Sequence, residues 1–419
     1  MTDWAAAGWR CYDQGDRHGA LRCWGQAVQG HPGWGTVWNN LCLVWDEVGE
    51  APRAIAAGEQ AVRHLGTAIA WNSLGLAWLH LETWPALGYA LGCFAQALAL
   101  QPDYGKAHLN RGHTLILLGR LGEAKASFER AIARLPQDAN AHVSYAQCLL
   151  GLGEWDTAWQ EYEWRWRLPE AAACPSAAPR WQGEPTDRLL VWGEQGYGDI
   201  LQFARYQALL PSKHWWLPPA LVPLLGGTPD TAPPPVASYQ IPLLSVPMAL
   251  GHPPIPPAPY LPLPSPLPLA GQTKIGVVWA TGYREHPDHR RLYRRKSCPL
   301  TALAPLWELP YTFYSLQVGA DALQGLHPPL QDLAPQLTDF AQTARAIAAL
   351  DAVVAVDTAT AHLAGALGKP LYLLLPYHGD WRWATDDLVR RWYPTALPLR
   401  QTAPGDWSEA IARLVRALA

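Results

Sequence analysis

The stretch GKAHLNRGHTLILLGRLGEAKASFERAIARLP, residues 105–136, contains the pattern that decides the fold of the first part of the chain. Its regularly placed small, aromatic and proline residues are Gly112, Ala124, Phe128, Ala131 and Pro136. Where two antiparallel helices touch, Gly and Ala leave room for close approach, an aromatic ring fills the groove, and Pro ends the second helix. The stretch therefore predicts a helical hairpin.

The same pattern recurs through residues 1–168 with a period of about 34 residues, and it resembles the tetratricopeptide repeat (TPR). The first unit contains Trp4, Gly8, Ala20, Trp24, Ala27 and Pro32, and the third contains Gly75, Trp78, Phe94, Ala97 and Pro102. An insertion near Trp84 and Pro85 is predicted to lie in the turn between the helices of the third unit. The fifth unit degenerates into EYEWRWR at 161–167, as a terminal repeat should. The sequence predicts about five repeats that form a TPR superhelix.

Stacked helix pairs expose an extended concave surface. We therefore predict that the array binds a protein or peptide partner on that face. The alternative is that the repeats only support the rest of the chain. The many Trp residues do not decide between the two, because most stand at repeat positions where packing explains them.

Composition limits the remaining possibilities. The chain has 419 residues, of which 49% are hydrophobic and 16% charged, so it is too apolar for disorder and too long for one core. A net charge of -3 gives no overall attraction to nucleic acid, although residues 290–296 are strongly basic. The seven cysteines form no CxxC pair, and neither a signal peptide nor a transmembrane segment is recognisable. We expect a soluble, cytoplasmic protein without a nucleic-acid partner.

The helical period stops at Leu168, and prolines mark a linker over 169–187. Residues 188–270 are predicted to form a short, proline-rich Rossmann-like half, and 271–419 a second one. The predicted strands are 188–192, 239–244, 274–279, 311–316, 352–356 and 371–375, and the predicted helices are 200–210, 340–350 and 360–367. Thr281 to Lys296 is predicted to be a polar loop. Such alternation predicts parallel sheets that bind ligands at the carboxyl ends of their strands.

The stretch DTATAHLAGALGKP, residues 357–370, places small and hydroxyl residues at a helix N-terminus directly after a buried strand. Free amides and the helix dipole favour an anion there, and a diphosphate would suit the position. His362 lies one helical turn further and could aim its ring at the ligand. It could equally be a packed histidine beside an N-terminal cap.

Several segments together resemble the GT-B glycosyltransferases of the heptosyltransferase type, specifically their bacterial relatives that are fused to TPRs. They are EQGYGDILQFARY (194–206), IGVVWA (275–280), SLQ (315–317), DTATAHLAGALGKP (357–370), LLLPYHGDWRW (373–383) and WYP (392–394). The resemblance implies a GT-B-like pair of Rossmann-type α/β domains after the repeats. It also implies transfer of a sugar from a nucleotide-diphosphate donor to an acceptor hydroxyl.

The same resemblance implies roles for individual residues. Asp199 matches the presumed general base, and its alternative role is an N-cap of the following helix. The implied donor-site residues are Lys296, Gln317, Asp357, Thr358 and His362, and possible phosphate or cleft contacts are Gly198, Arg294, Arg295, Asp380 and Arg382. For Arg294 and Arg295, a solvated basic loop is the alternative.

The nucleotide sugar is expected as a co-substrate, without a further cofactor. His286 and His289 lack paired carboxylates, so no metal site is predicted. The alternative to a transferase is a non-catalytic TPR scaffold or assembly protein with a degenerate GT-B domain.

Overall fold

The computed structural model describes residues 3–211, 213–282, 287–319 and 329–419, with only the backbone at 287–289. The chain forms two compact units. The first extends to Cys148, and the second begins at Leu149 and continues to the C-terminus, except that 287–291 group with the first. The predicted domain boundaries at 168, 187 and 270 stay predictions.

Antiparallel helix pairs build the repeat region, as the sequence pattern predicts. The helices are α1 (Trp4–Asp13), α2 (Arg17–Gly30), α3 (Gly35–Glu47), α4 (Ala51–Leu65), α5 (Ala68–Leu79), α6 (Trp84–Leu100), α7 (Gly105–Leu117), α8 (Leu121–Arg134), α9 (Ala139–Leu152) and α10 (Trp155–Tyr162). Helix α10 is short and passes into a 3-10 segment, Glu163–Arg167. The predicted degeneration of the last unit is confirmed.

Close contact between a glycine of the first helix and an aromatic ring of the second recurs in the repeats. An ideal Cβ built on the glycine would approach the ring to 2.3 Å (Gly8 to Trp24 Nε1), 2.6 Å (Gly75 to Phe94 Cε1) and 2.5 Å (Gly112 to Phe128 Cε1). All three rings are buried. No larger residue fits these positions without moving the ring, which confirms the predicted packing.

The insertion in the third unit is not where the sequence analysis placed it. Trp84 is the first residue of α6 and Pro85 lies in its first turn, so the extra residues lengthen the helix. Helix α6 has 17 residues, whereas α8 at the equivalent position has 14. Proline is compatible with a helix start because the first amides have no intrahelical partner. It therefore marked a helix start here rather than a turn.

The repeat packing predicts opposite effects for two Gly→Ala changes in one repeat. Gly75→Ala is expected to lower the free energy of unfolding by about 1–3 kcal/mol, because the new methyl group overpacks against Phe94. Gly92→Ala is expected to raise it by about 0.5–1 kcal/mol, because at this exposed position within α6 a new Cβ would meet nothing within 4 Å beyond the backbone of the helix itself. Urea unfolding measures both, and equal stability of the two variants would contradict the packing.

The first sheet of the second unit is parallel. Its strands are β1 (Leu189–Trp192), β2 (Lys213–Leu217), β3 (Thr228–Pro229) and β4 (Tyr239–Pro242), in the order β3-β2-β1-β4. Its helices are α11 (Tyr197–Phe203), α12 (Val222–Leu225) and α13 (Val246–Ala249). The predicted helix 200–210 is thus only partly α-helical, because residues 204–209 form a 3-10 segment.

The second sheet is also parallel and is larger. Its strands are β5 (Lys274–Val278), β6 (Thr312–Ser315), β7 (Leu330–Asp332), β8 (Ala352–Val356), β9 (Leu371–Leu375) and β10 (Ala396–Arg400), in the order β10-β9-β8-β5-β6-β7. Its helices are α14 (Pro287–Lys296), α15 (Phe340–Ala349), α16 (Ala359–Ala366), α17 (Asp386–Trp392) and α18 (Ser408–Leu418). The prediction of a loop up to Lys296 is wrong, since α14 occupies the second part of that stretch.

The order of both sheets is that of Rossmann-type halves, so the predicted fold class is confirmed. The strand order reverses between β1 and β4 in the first sheet, and between β5 and β8 in the second. Crevices at such reversals are the usual ligand positions of open α/β sheets. Among the described residues, no helix has both the length and the apolar character that a membrane crossing requires.

Candidate active site

Helix α11, which follows β1, packs directly on α16, which follows β8. A Cβ on Gly198 of α11 would lie 2.9 Å from Cδ2 of His362 on α16. The absence of a side chain at residue 198 therefore allows the first turn of α11 to reach the second sheet. Residues at the carboxyl ends of strands from both sheets thus meet in one place.

Asp199 lies in this contact and has partners on both of its carboxylate oxygens. Oδ2 accepts a hydrogen bond from the Gly196 amide at 3.1 Å, and Oδ1 forms an ion pair with Arg382 of the second half. Gly196 is the N-cap and Asp199 the third residue of α11, so Asp199 supports the helix start without being the N-cap itself. Burial raises the pKa of Asp199 above its usual range, although Arg382 opposes that shift.

Arg382 has three partners, and two of them, Asp199 and Gln202, belong to the other half. Its Nη1 donates to Oδ1 of Asp380 at 2.8 Å, its Nε donates to Oε1 of Gln202 at 2.6 Å, and its third partner is Asp199. The arginine side chain is only 6% exposed, so these contacts replace its hydration. Burial alone would raise the pKa of Asp380, but Arg382 and Lys296 outweigh it and hold that pKa below its usual range.

Lys296 and Asp357 form a second ion pair at the reversal of strand order between β5 and β8. Nζ of Lys296, the last residue of α14, lies 2.5 Å from Oδ2 of Asp357, which directly follows β8. Burial opposes both charges, yet their mutual attraction lowers the pKa of Asp357 and raises that of Lys296. Thr358 is the N-cap of α16, and its Oγ1 accepts from the Ala361 amide at 3.4 Å.

His362 is buried beside this pair. Its Nδ1 lies 2.9 Å from the hydroxyl of Tyr393, and its ring stacks on that of Trp383 with 4.9 Å between the centroids. Burial lowers the pKa of His362 to about 3, so the ring is neutral at physiological pH. These contacts match a packed histidine after an N-terminal cap, which was one of the two alternatives that the sequence left open. A contact with a donor stays a prediction.

The side chain of Gln317 binds the backbone that follows β5. Its Oε1 accepts hydrogen bonds from the amides of Trp279 and Ala280 at 3.3 Å and 3.0 Å, and its Nε2 donates to the Ala280 carbonyl at 3.1 Å. The side chain therefore fixes the backbone that leads out of β5. A direct role in donor binding stays a prediction.

The two arginines before Lys296 differ in their environment. Arg294 is exposed, whereas Arg295 is half-buried. Burial and the nearby charges of Arg295 and Arg400 lower the pKa of His378 to about 3. Arg295 thus lies near the segment that follows β9. The side chains of His286 and His289 lie outside the described residues.

Several further residues of the candidate site were not predicted from the sequence. Gln202 is three residues after Asp199, so both side chains lie on one face of α11, and this spacing was the available signal. Arg205 continues that face and donates from Nη1 to the Trp392 carbonyl at 3.1 Å. Tyr393 lay within a segment that was noted for its resemblance, but nothing in the sequence indicated its partner His362.

The arrangement combines three carboxylates with two cations in a buried space. Asp199, Asp357 and Asp380 are the acids, and Lys296 and Arg382 are the cations. A carboxylate from one sheet can accept a proton there, and the cations from the other sheet can stabilise negative charge on phosphate oxygens.

Family models match two parts of the chain. Residues 115–162 match the tetratricopeptide repeat, and residues 317–381 match glycosyltransferase family 9 (heptosyltransferase). The predicted resemblances to both are confirmed. The matches indicate a repeat region of the kind used in protein interaction and a domain of the glycosyltransferase type.

Solved structures that are similar to this chain include three with comparable coverage. They are MamA (22% identity, 38% of this chain and 91% of that chain, TM-score 0.34), TTC0263, a thermophilic TPR protein in Thermus thermophilus (23%, 40% and 90%, TM-score 0.36), and PilW, a widely conserved type IV pilus biogenesis factor (22%, 39% and 77%, TM-score 0.36). No curated protein matches the sequence.

Proposed function

We propose that the second unit is a glycosyltransferase that moves a sugar from a nucleotide-diphosphate donor to an acceptor hydroxyl. The observation that carries this proposal is the meeting of Asp199 from the first sheet with Arg382 from the second, close to Lys296 and Asp357. Their proximity is reflected in the pKa of Asp199, to which the charges of all three contribute. The match of residues 317–381 to a glycosyltransferase family supports the same reaction class.

In this proposal Asp199 is the general base. The acceptor oxygen forms a bond to the anomeric carbon while the bond from that carbon to the diphosphate oxygen breaks. The proton of the hydroxyl passes to Asp199, and the electron pair of the broken bond stays on the diphosphate. A carboxylate has about four lone-pair positions, so Asp199 can accept a proton beside its two present partners.

Lys296 and Arg382 would stabilise the leaving group. Negative charge grows on the diphosphate as the bond breaks, and cations in a buried site interact with it more strongly than they would in water. Both cations are paired with carboxylates in this structure. The diphosphate would therefore compete with Asp357, Asp199 and Asp380 for them.

For the repeats we propose binding of a protein or peptide on the concave face, either as the acceptor or as a partner that delivers it. The match of 115–162 to the tetratricopeptide repeat supports an interaction role. With the nucleotide sugar as co-substrate, no further cofactor is required by this scheme, and we expect a cytoplasmic location.

A panel of nucleoside diphosphates tests the proposal. At least one of them is expected to raise the melting temperature of the protein, since a ligand at 100 times its dissociation constant adds about 2.7 kcal/mol of stability. The matching nucleoside without phosphates is the control, and it is expected to give a much smaller shift. The corresponding nucleotide sugar should then be hydrolysed or transferred. If no diphosphate shifts the transition, the proposed donor site is wrong.

One observation favours a non-catalytic scaffold as the second candidate. Asp199, Arg382, Lys296 and Asp357 neutralise one another, and such buried pairs can also serve to hold two α/β halves in a fixed arrangement. The panel separates the two candidates. Binding without hydrolysis or transfer of any nucleotide sugar would favour the scaffold.

A further inference from the structure

The turn that leads to Asp199 is held by a segment from the end of the repeat region. Arg165, in the 3-10 segment after α10, donates from Nε and Nη2 to the two oxygens of Glu194 at 2.9 Å and 2.8 Å. Glu194 is the second residue after β1. A bidentate pair of this kind fixes orientation as well as distance. The side chains of Arg165 and Glu194 are 6% and 2% exposed, so water does not loosen the pair.

The guanidinium of Arg165 has further hydrogen-bond partners and contacts two aromatic rings. It donates to Glu163 at 2.8 Å and to the hydroxyl of Ser245 at 2.7 Å, and it lies over the rings of Tyr162 and Trp166, 4.7 Å and 4.6 Å from their centroids. Planar Arg side chains suit such stacked and bidentate positions better than Lys. The side chain therefore has one defined orientation.

This cluster lies at the reversal of strand order in the first sheet. Glu194 follows β1, whereas Leu244 and Ser245 follow β4, and the Leu244 amide donates to Oε1 of Glu194 at 3.1 Å. Open α/β sheets usually bind ligands at this position. Here Arg165 of the chain itself fills it. In the crevice of the first sheet, Arg165 and the Leu244 amide therefore hold the turn through Glu194.

A second contact reaches the next residue of the turn. Nε2 of Gln195 donates to the hydroxyl of Tyr162 at 3.0 Å. Two consecutive residues, Glu194 and Gln195, are thus bonded to the segment 161–167. Gly196, whose amide donates to Asp199, follows directly.

We propose that Arg165 and Tyr162 are positioning residues, which aim Asp199 by fixing residues 193–196, the turn that leads into α11, through Glu194 and Gln195. The proposal rests on the proposed function, because it assigns a purpose to the exact placement of Asp199. It also gives the degenerate end of the repeat region a role in the chemistry of the second unit. A shift of the catalytic carboxylate by about 1 Å can reduce the rate by about 100-fold.

Arg165→Lys and Tyr162→Phe test the proposal. The first keeps the charge and loses the bidentate fork, and the second removes only the hydroxyl that bonds Gln195. Arg167→Lys is the matched control, because Arg167 is exposed in the same segment and its guanidinium stacks 4.0 Å from the ring of Trp164. If Arg165→Lys does not fold, the same measurements on Tyr162→Phe still test whether the segment 161–167 positions Asp199.

Two measurements distinguish positioning from general stability. We expect kcat to fall about 10- to 100-fold in Arg165→Lys, with KM for the donor changed by less than about two-fold, because the donor residues lie on the second sheet. Amides 193–200 should exchange hydrogen faster, while those of β8 should not. The control should match the wild type in both.

The outcomes separate this inference from the proposed function. Wild-type kcat and wild-type exchange in both variants would overturn the positioning role and leave the transferase proposal intact. If the wild type binds nucleoside diphosphates but transfers no sugar, the proposed function fails, and hydrogen exchange of the amides then becomes the only test of the positioning role. Faster exchange at 193–200 would then still support the positioning role, and unchanged exchange would end it.

Discussion

Asp199→Asn is expected to lower kcat for sugar transfer by about 10²- to 10⁴-fold, which is the usual contribution of a general base. Asparagine has the same shape and can still accept the hydrogen bond from the Gly196 amide, but it cannot take up the proton. Affinity for a nucleoside diphosphate should be unchanged or higher. Arg382 keeps Asp380 as a partner but loses the charge of Asp199, so more of its own charge is available to phosphate.

The pH profile adds a second criterion for Asp199. A general base must be deprotonated, so the wild-type rate should rise with pH through the pKa of Asp199, which burial raises above its usual range. The residual activity of the variant should lack this limb. Steady-state kinetics and calorimetric titration measure both effects. Asp187→Asn is the control, because that side chain is 90% exposed. Wild-type turnover in Asp199→Asn would remove this residue from the mechanism.

In the second sheet the central strands could be predicted from the sequence, and the edge strands could not, whereas in the first sheet the predicted strand β4 lies at an edge and the central strand β2 was not predicted. Strands β8 and β9, and β5 after its first residue Lys274, are continuous apolar runs, because parallel strands that are covered on both faces need apolar residues on both. Strands β7 and β10 lie at the two edges of the second sheet, and they read LQD and ALPLR. Edge strands tolerate polar residues and proline, which removes the signal.

Helix α14 was missed for a related reason. Its residues PDHRRLYRRK are too polar to show an apolar face, so their pattern predicts a loop. Its start nevertheless carried a signal, since Pro287 is the first residue of the helix. The helix matters to the site because Lys296 is its last residue. A loop would have left the position of that lysine undefined.

The sequence predicts where individual residues of the candidate site lie, but it does not predict which of them form pairs. Rules for parallel sheets place Asp199 and Asp357 after strands, and both lie there in the structure. The pairings of Asp199 with Arg382 and of Lys296 with Asp357 depend on how the two sheets pack. No local pattern encodes that packing. The contact of Gly198 with His362 shows why a glycine is required, but only once both helices are in place.

Arg382→Met is expected to lower the free energy of unfolding by about 3–5 kcal/mol, which is the usual cost of removing one partner of a buried ion pair. Methionine fills much of the same volume, but Asp199 and Asp380 then lose their cation. Their side chains are only 22% and 27% exposed, so water compensates incompletely. Arg390→Met is the matched control, since its pair with Asp387 is exposed, and it should cost less than about 1 kcal/mol.

Acidification should reduce the difference in the free energy of unfolding between Arg382→Met and the wild type. In the wild type Arg382 helps to hold the pKa of Asp380 low. The stabilisation from this pair is therefore present above the pKa that Asp380 has in the unfolded chain, and it is lost as pH falls through the pKa that Asp380 has in the folded protein. Without Arg382, burial raises the pKa of both carboxyl groups, and protonation relieves the unpaired charges. Urea unfolding at pH 7 and pH 5 measures the change. A deficit that stays constant or grows on acidification would mean that lost packing, rather than unpaired charge, destabilises the variant.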